Sequence, residues 1–205
     1  MEFKSELESK SAAKIKKAAL KISKANLEGY EELLLSALDV LLLKPKSWKA
    51  QSEVIRALGI TGSKNSLAYL KSLTLKEFEA TILYSDLSFS ICMLQDIKNE
   101  NFEYLESILD TENNSLLSGA CSAILFSGIV PDKHTIQSLL SSIVDRAENE
   151  GQVLSPRCYI SAACYSWPQE LTKNFLQVCS KSSWDGLVEI SNDSMAGKKT
   201  KYVLV

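Results

Sequence analysis

The feature that most constrains this chain is that it aligns with itself. The stretch ALGITGSKNSLAYLKSL, beginning at Ala57, lies without a gap over FSGIVPDKHTIQSLLSS, beginning at Phe126, an offset of 69 residues (57 to 126). Gly59 falls on Gly128, Ile60 on Ile129, Lys64 on Lys133, Leu67 on Ile136 and Leu70 on Leu139. Midway lies MLQDIKNENFEYLESI, from Met93, with Leu94 matching Leu58 and Tyr104-Leu105 matching Tyr69-Leu70. The period is therefore about 35 residues. Weaker copies flank these three, one from about Ser5 to Leu43 and one from near Leu154 with its second helix at Gln169 to Cys179. A unit this short cannot cover its own apolar face, whereas stacked units bury one continuous core.

Within each unit apolar residues recur at steps of three and four, the helical period. The first helix shows it in Leu7, Ile15, Ala18, Ala19 and Ile22, and the second in Tyr30, Leu33, Leu34, Ala37, Leu38 and Leu41. Breakers fall between these segments. Pro45 follows the Leu-rich second helix, Gly59 and Gly62 bracket a short turn, and Gly128 and Pro131 bracket another. Ser155-Pro156 reads as an N-cap and first-turn pair, with Pro168 in a similar role. The pattern predicts about ten helices of ten to twenty residues with short loops. Ser191 to Val205 reads as a polar turn, a basic run (Lys198, Lys199, Lys201) and a short β-like end, YVLV. Leu70, Leu105 and Leu139 are expected in the core, each contributing roughly 2 kcal/mol through buried apolar surface.

The stretch VIRALGITGSKNSLAYLKSL within Trp48 to Leu73 resembles the HEAT-like repeat family, in which a first helix ends in Ala-Leu-Gly, a tight turn with a second Gly follows, and a second helix carries paired leucines. The resemblance extends over residues 5 to 180. It implies an all-α fold: a right-handed α-α superhelix, or solenoid, of about five helix pairs. The units fall near 5–43, 46–74, 77–110, 113–147 and 153–180, making a repeat domain of 1–182, with 183–205 as a C-terminal cap. Two copies depart from the family pattern. Gly59 has no counterpart near Gln95, and Trp167-Pro168 replaces the turn of the last copy.

Charge is nearly balanced, with 23 basic and 25 acidic residues and a net charge of −2. That argues against a surface wholly devoted to nucleic acid. Local patterning is sharper. Lys10, Lys14, Lys17, Lys21 and Lys24 form one stripe on the first helix, either a solvated outer face or a second contact for nucleic acid or an acidic protein. A helix spanning Asn99 to Asp110 is expected to bury Phe102, Leu105 and Leu109. Asp96, Glu100, Glu103, Glu106 and Asp110 then project on the opposite side, within about 120°. Glu28, Glu32 and Asp39 are arranged likewise on the second helix of the first unit. In HEAT-like arrays second helices line the concave surface. The resemblance thus implies a concave face with two acidic rungs and a Lys64/Lys71 rung between them, read either as solvated charge or as a docking surface for a basic protein.

No catalytic set stands out. His134, the one histidine, lies in the first turn of a predicted helix with Ser138 four residues on and only Asp132 nearby to orient its ring, which reads as a surface residue. No Gly-rich phosphate loop, metal-ligand spacing or cofactor motif occurs. Cys92, Cys121, Cys158, Cys164 and Cys179 are odd in number, form no C-x-x-C and suit a reducing cytoplasm. The start, MEFKSELESK, does not read as a secretory signal, and the uncharged stretch from Asn113 to Pro131 is too polar for a membrane span. The expectation is a cytoplasmic, non-enzymatic protein-binding solenoid, a monomer or an oligomer of unknown order, without cofactor, metal or membrane contact. Its most specific form is a bacterial immunity protein that neutralises a basic nuclease toxin by covering it. The alternatives are a generic repeat scaffold and an alkylpurine DNA glycosylase of HEAT-like fold. That enzyme class cradles DNA in a basic face with aromatic residues, which the second helices here lack.

Overall fold

The structure, a computed structural model, describes residues 2–146, 149–150 and 153–201. Among these residues the chain is helical apart from one short antiparallel pair, β1 (Asn149–Glu150) with β2 (Val153–Leu154). The α-helices are α1 (Lys4–Leu7), α2 (Ala12–Lys24), α3 (Glu31–Leu42), α4 (Trp48–Thr61), α5 (Leu67–Leu73), α6 (Ile82–Leu94), α7 (Glu103–Ser107), α8 (Asn114–Ser127), α9 (Lys133–Ile143), α10 (Pro156–Ala163), α11 (Gln169–Cys179) and α12 (Asp185–Met195). Several are shorter than the sequence pattern predicts.

The chain divides into two units, Met1–Asp96 and Ile97–Val205. In the first, α4 packs against α2 on one side and α6 on the other, while α3 lies against α4 and α5 against α6. In the second, α10 packs against α8 and α12, α9 against α11, and α11 against α12. Most of these helices thus lean on helices near them in sequence. Side-chain hydrogen bonds repeat the spacing. Tyr69 reaches Asp39, Ser90 the Ile55 carbonyl, Ser142 that of Leu109, Trp167 that of Ile129 and Ser194 that of Ser161, over separations of 30 to 38 residues.

Most boundaries follow local chemistry. Asn113 caps α8 by accepting from the Leu116 N–H (3.1 Å), and Gly128, at φ 66°, closes it in the left-handed region. Asp132 caps α9, and Ser155 with Pro156 opens α10 as the sequence suggests. Where the glycine pattern fails, at the end of α6, Asp96 adopts φ 68° and does the terminating work of a glycine. Leu70, Leu105 and Leu139 are all buried.

Four local expectations are corrected. The first helix is two, because the chain breaks at residues 8–11, where the Ser9 hydroxyl accepts from the Ser11 N–H; Lys10 therefore lies off α2. Gly59 belongs to α4 and not to a turn. A Cβ there would stand 2.5 Å from the Ser90 Cα, so its bareness lets α6 approach α4. Ser191 is inside α12, so the polar turn expected from that residue begins later, and the stretch assigned to a cap carries a full helix packed on α10 and α11. The YVLV end lies outside the described residues.

The fourth correction concerns the acidic stripe. No helix runs from Asn99 to Asp110: a 3-10 turn covers Ile97–Asn99, Glu100 takes φ 62°, and the Asn101 side chain caps the Glu103 N–H at 3.2 Å so that α7 starts only there. Asp96, Glu100 and Asp110 are therefore not on one helical face with Glu103 and Glu106. Glu28 likewise precedes α3. Asn and Asp residues compete with the helix for its own backbone groups, and the KNENF run, residues 98–102, has two Asn.

Candidate functional site

In the first unit α3 presents Glu32 and Asp39 to solvent, with exposed Glu28 just before it. Their neighbour Glu31 is spent on structure. Its carboxylate accepts from the Ser63 N–H (3.0 Å), the Ser63 hydroxyl (2.8 Å) and the Ser66 hydroxyl, tying α3 to the turn that opens α5. Burial opposes ionisation of Glu31, but these hydrogen bonds hold its carboxyl below the ordinary value. Asp39 accepts from the Tyr69 phenol on α5, and burial together with this carboxylate pushes the phenol up. Lys64 is exposed and Lys71 half-buried, near the same two helices.

In the second unit Glu103 and Glu106 are exposed on α7, flanked by exposed Glu100 and Asp110. Glu106 lines a cavity of about 220 Å³ between α7 and α9 that also holds His134, Thr135 and Ser138. Sequence spacing pairs His134 with Ser138; the fold adds a carboxylate. None of the three side chains hydrogen-bonds another, however. Asp132, the carboxylate nearest in sequence, accepts from the Thr135 hydroxyl (2.6 Å) and from the His134 and Thr135 N–H groups instead of orienting the ring, and these bonds lower its pKa. The cavity gathers residue types used in acid–base chemistry, with no hydrogen bond linking Glu106, His134 and Ser138.

On the next flank α9 and α11 lie side by side and leave an open groove of about 440 Å³ whose walls are Leu140, Val144, Leu171, Phe175 and Val178. Sequence reading missed it, because it exists only once two helices are adjacent. The lysines gather separately. Lys14, Lys17 and Lys21 of α2 line a cleft of about 370 Å³ beside Phe3 and Glu6, with Lys21 Nζ 5.5 Å from the Phe3 ring centroid. Lys10 and Lys24 are exposed outside it.

A further feature the sequence did not reveal is Asp86, on α6 and only 2% exposed. Its Oδ1 is 3.4 Å from the Arg56 guanidinium and its Oδ2 has no hydrogen-bond partner. Burial raises its pKa to about 6, against the opposing pull of the Ser52 side chain and then of Arg56. The tryptophans stay off the second helices. Trp48 begins α4, Trp167 is buried with its indole N–H on the Ile129 carbonyl, and Trp184 precedes α12. Among the described residues no three metal-ligating side chains cluster, and no helix is long and apolar enough to cross a membrane. Compared with family models, curated proteins and solved structures, the chain matches none of them.

Proposed function

We propose that this chain binds its target and does not transform it: a basic protein docks against exposed acidic residues, which each unit carries on its own, around α3 in the first and around α7 in the second. The observation that supports this reading is that the side chains of Glu28, Glu32, Glu100, Glu106 and Asp110 are exposed and have neither an ion-pair nor a hydrogen-bond partner among the described residues. In a chain with nearly as many lysines and arginines as acids, mutual neutralisation is the easy outcome. At these five side chains it is not taken. Like charges close together repel, and only an external cation relieves them, which favours basic partners and speeds their encounter.

In its most specific form the partner is a nuclease toxin and the chain its bacterial immunity protein. A nuclease must carry positive charge to hold phosphate, and an acidic binder occupies that surface in competition with the substrate. In its general form the chain is a repeat scaffold for a basic partner. The lysines of α2 supply a second contact in either case.

The test is direct. The purified chain is titrated into a basic nuclease encoded beside it while DNA cleavage is followed. Inhibition that is lost with Glu103→Lys plus Glu106→Lys is the expected result; inhibition unchanged by the double reversal removes α7 from the site. Release of a methylated base from alkylated DNA by the chain alone would overturn the binding-only reading.

A further inference from the structure

We propose that the lysine face of α2 holds the phosphate backbone of a nucleic acid, meeting its charge and not its bases. This contact belongs to α2 alone and does not rest on the acidic docking above.

The helix carries charge of one sign. From Ser9 to Leu27 the chain has six lysines and no acidic residue, and over residues 2–28 it has seven lysines against four glutamates, so the sign survives the wider count. α2 buries Ile15, Ala18, Ala19 and Ile22. Lys14, Lys17, Lys21 and Lys24 fall within about 80° of one another, away from that buried side, and all four are exposed. Like charges at i+3 and i+4 repel. None of the four has an ion-pair partner among the described residues.

Three of these side chains, Lys14, Lys17 and Lys21, line the cleft of about 370 Å³ beside α1. One carboxylate shares it, Glu6, which accepts from the Ser5 hydroxyl (3.0 Å) and pairs with no lysine. Glu8, outside the cleft, pairs with Lys4. Lys21 Nζ is held 5.5 Å from the Phe3 ring centroid by attraction to the ring. Three ammonium groups against one carboxylate leave the cleft open to an oxyanion.

The rest of the surface selects the class of anion. Among the described residues no large apolar side chain exposed to solvent lies on α1 or α2, so an acidic protein finds no anchor of the kind that carries protein–protein affinity. α2 has no Arg, Asn or Gln, the residues that read base edges or fork onto a single phosphate. Phe3 is 7% exposed, too covered for a base to stack on it. What is left is a row of point charges. Lys14 to Lys24 spans about 15 Å along the helix axis, and each strand of a duplex presents a phosphate about every 3.4 Å, so the row meets several phosphates at once.

The experiment uses the full chain and a labelled DNA duplex of about 16 base pairs, followed by fluorescence anisotropy from about 50 to about 200 mM salt. Log affinity is expected to fall against log salt with a slope of about −3, roughly a sixtyfold loss over that range. Lys14→Gln with Lys17→Gln and Lys21→Gln is expected to weaken binding about tenfold or more at low salt and to flatten the slope by about 2 or more. Arginine at the same three positions, which keeps the charge, should retain binding within about threefold. Lys98→Gln with Lys133→Gln and Lys173→Gln removes as much charge from exposed positions of the second unit and should change affinity less than about twofold. Duplexes of unrelated sequence should bind within about threefold of each other. Thermal melts check that each variant is folded, and the slope of the parent chain needs no variant. A slope shallower than about −1 overturns the proposal, as does an α2 triple variant that binds no worse than the second-unit control. A preference above about tenfold between duplexes overturns the base-blind contact. A polyglutamate peptide of equal charge that binds as tightly as the duplex assigns the face to an acidic protein instead. Glu103→Lys plus Glu106→Lys should leave duplex binding undiminished, so this contact and the acidic docking fail separately.

Discussion

Arg56 reaches across from α4 to place its guanidinium 3.4 Å from the Asp86 carboxylate of α6, while its Cζ lies 4.2 Å above the ring of Phe89. The arginine is 27% exposed along its side chain and the aspartate 3%, so the pair is wet at one end and dry at the other. A carboxylate held this way is not a clear gain. Its desolvation outweighs the attraction of its partner, and the raised pKa is the signature.

Asp86 binds its proton more tightly folded than unfolded. Its contribution to stability is thus full below about pH 4 and lost as pH rises through about 6. Asp86→Asn keeps the shape without the charge. Relative to the parent, its stability in urea melts should rise between those pH values, by at most about 3 kcal/mol. A pH-independent difference would mean that Asp86 is not titrating in this range.

Gly59→Ala should destabilise the first unit. The added methyl meets the Ser90 Cα at 2.5 Å, and Ser90 is held in place by its 2.8 Å bond to the Ile55 carbonyl. A cost of about 1–3 kcal/mol is expected, read as a lower urea midpoint. Gly128→Ala, whose methyl meets nothing but whose φ is 66°, should cost about 1 kcal/mol for a different reason, backbone strain.

Glu31→Gln should cost about 1 kcal/mol at neutral pH by weakening the acceptor for Ser63 and Ser66. Because the folded carboxyl sits below its ordinary pKa, the penalty should be present near pH 7 and fade as the parent is acidified through that depressed value. The direction is opposite to that of Asp86, so melts of the two variants on one pH axis separate them.

All five cysteines are free and buried. Burial pushes the Cys92 thiol up to about 12 and raises that of Cys164 as well. Ellman's reagent should therefore find almost no reactive thiol in the native chain and five in denaturant, since the thiolate is the nucleophile.

Sequence alone reached the helical class, the roughly 35-residue spacing and several helix ends, because those rest on local signals such as Gly128 in the left-handed region and Ser155 before Pro156. It misjudged the Asn99–Asp110 segment for an equally local reason. Periodicity counted Glu100 and Asp110 onto a face, while Asn101 had already claimed the backbone that would have continued the helix. Asp86 escaped notice because α6 is buried on nearly every side and offers no polar face by which to place a charge. The α9–α11 groove was illegible for a different reason. Each of its stripes reads as ordinary half-buried helix, and only adjacency turns two of them into a furrow.

Within each unit the partners of a helix are mostly its near neighbours along the chain, and that bears on how the molecule comes into being. Closing such short loops costs little entropy, so structure can begin at several places and spread, and segments can settle in turn as they leave the ribosome. A weakened junction such as α4 with α6 should then leave distant helix pairs able to form, and damage would show as local fraying before collapse of the whole.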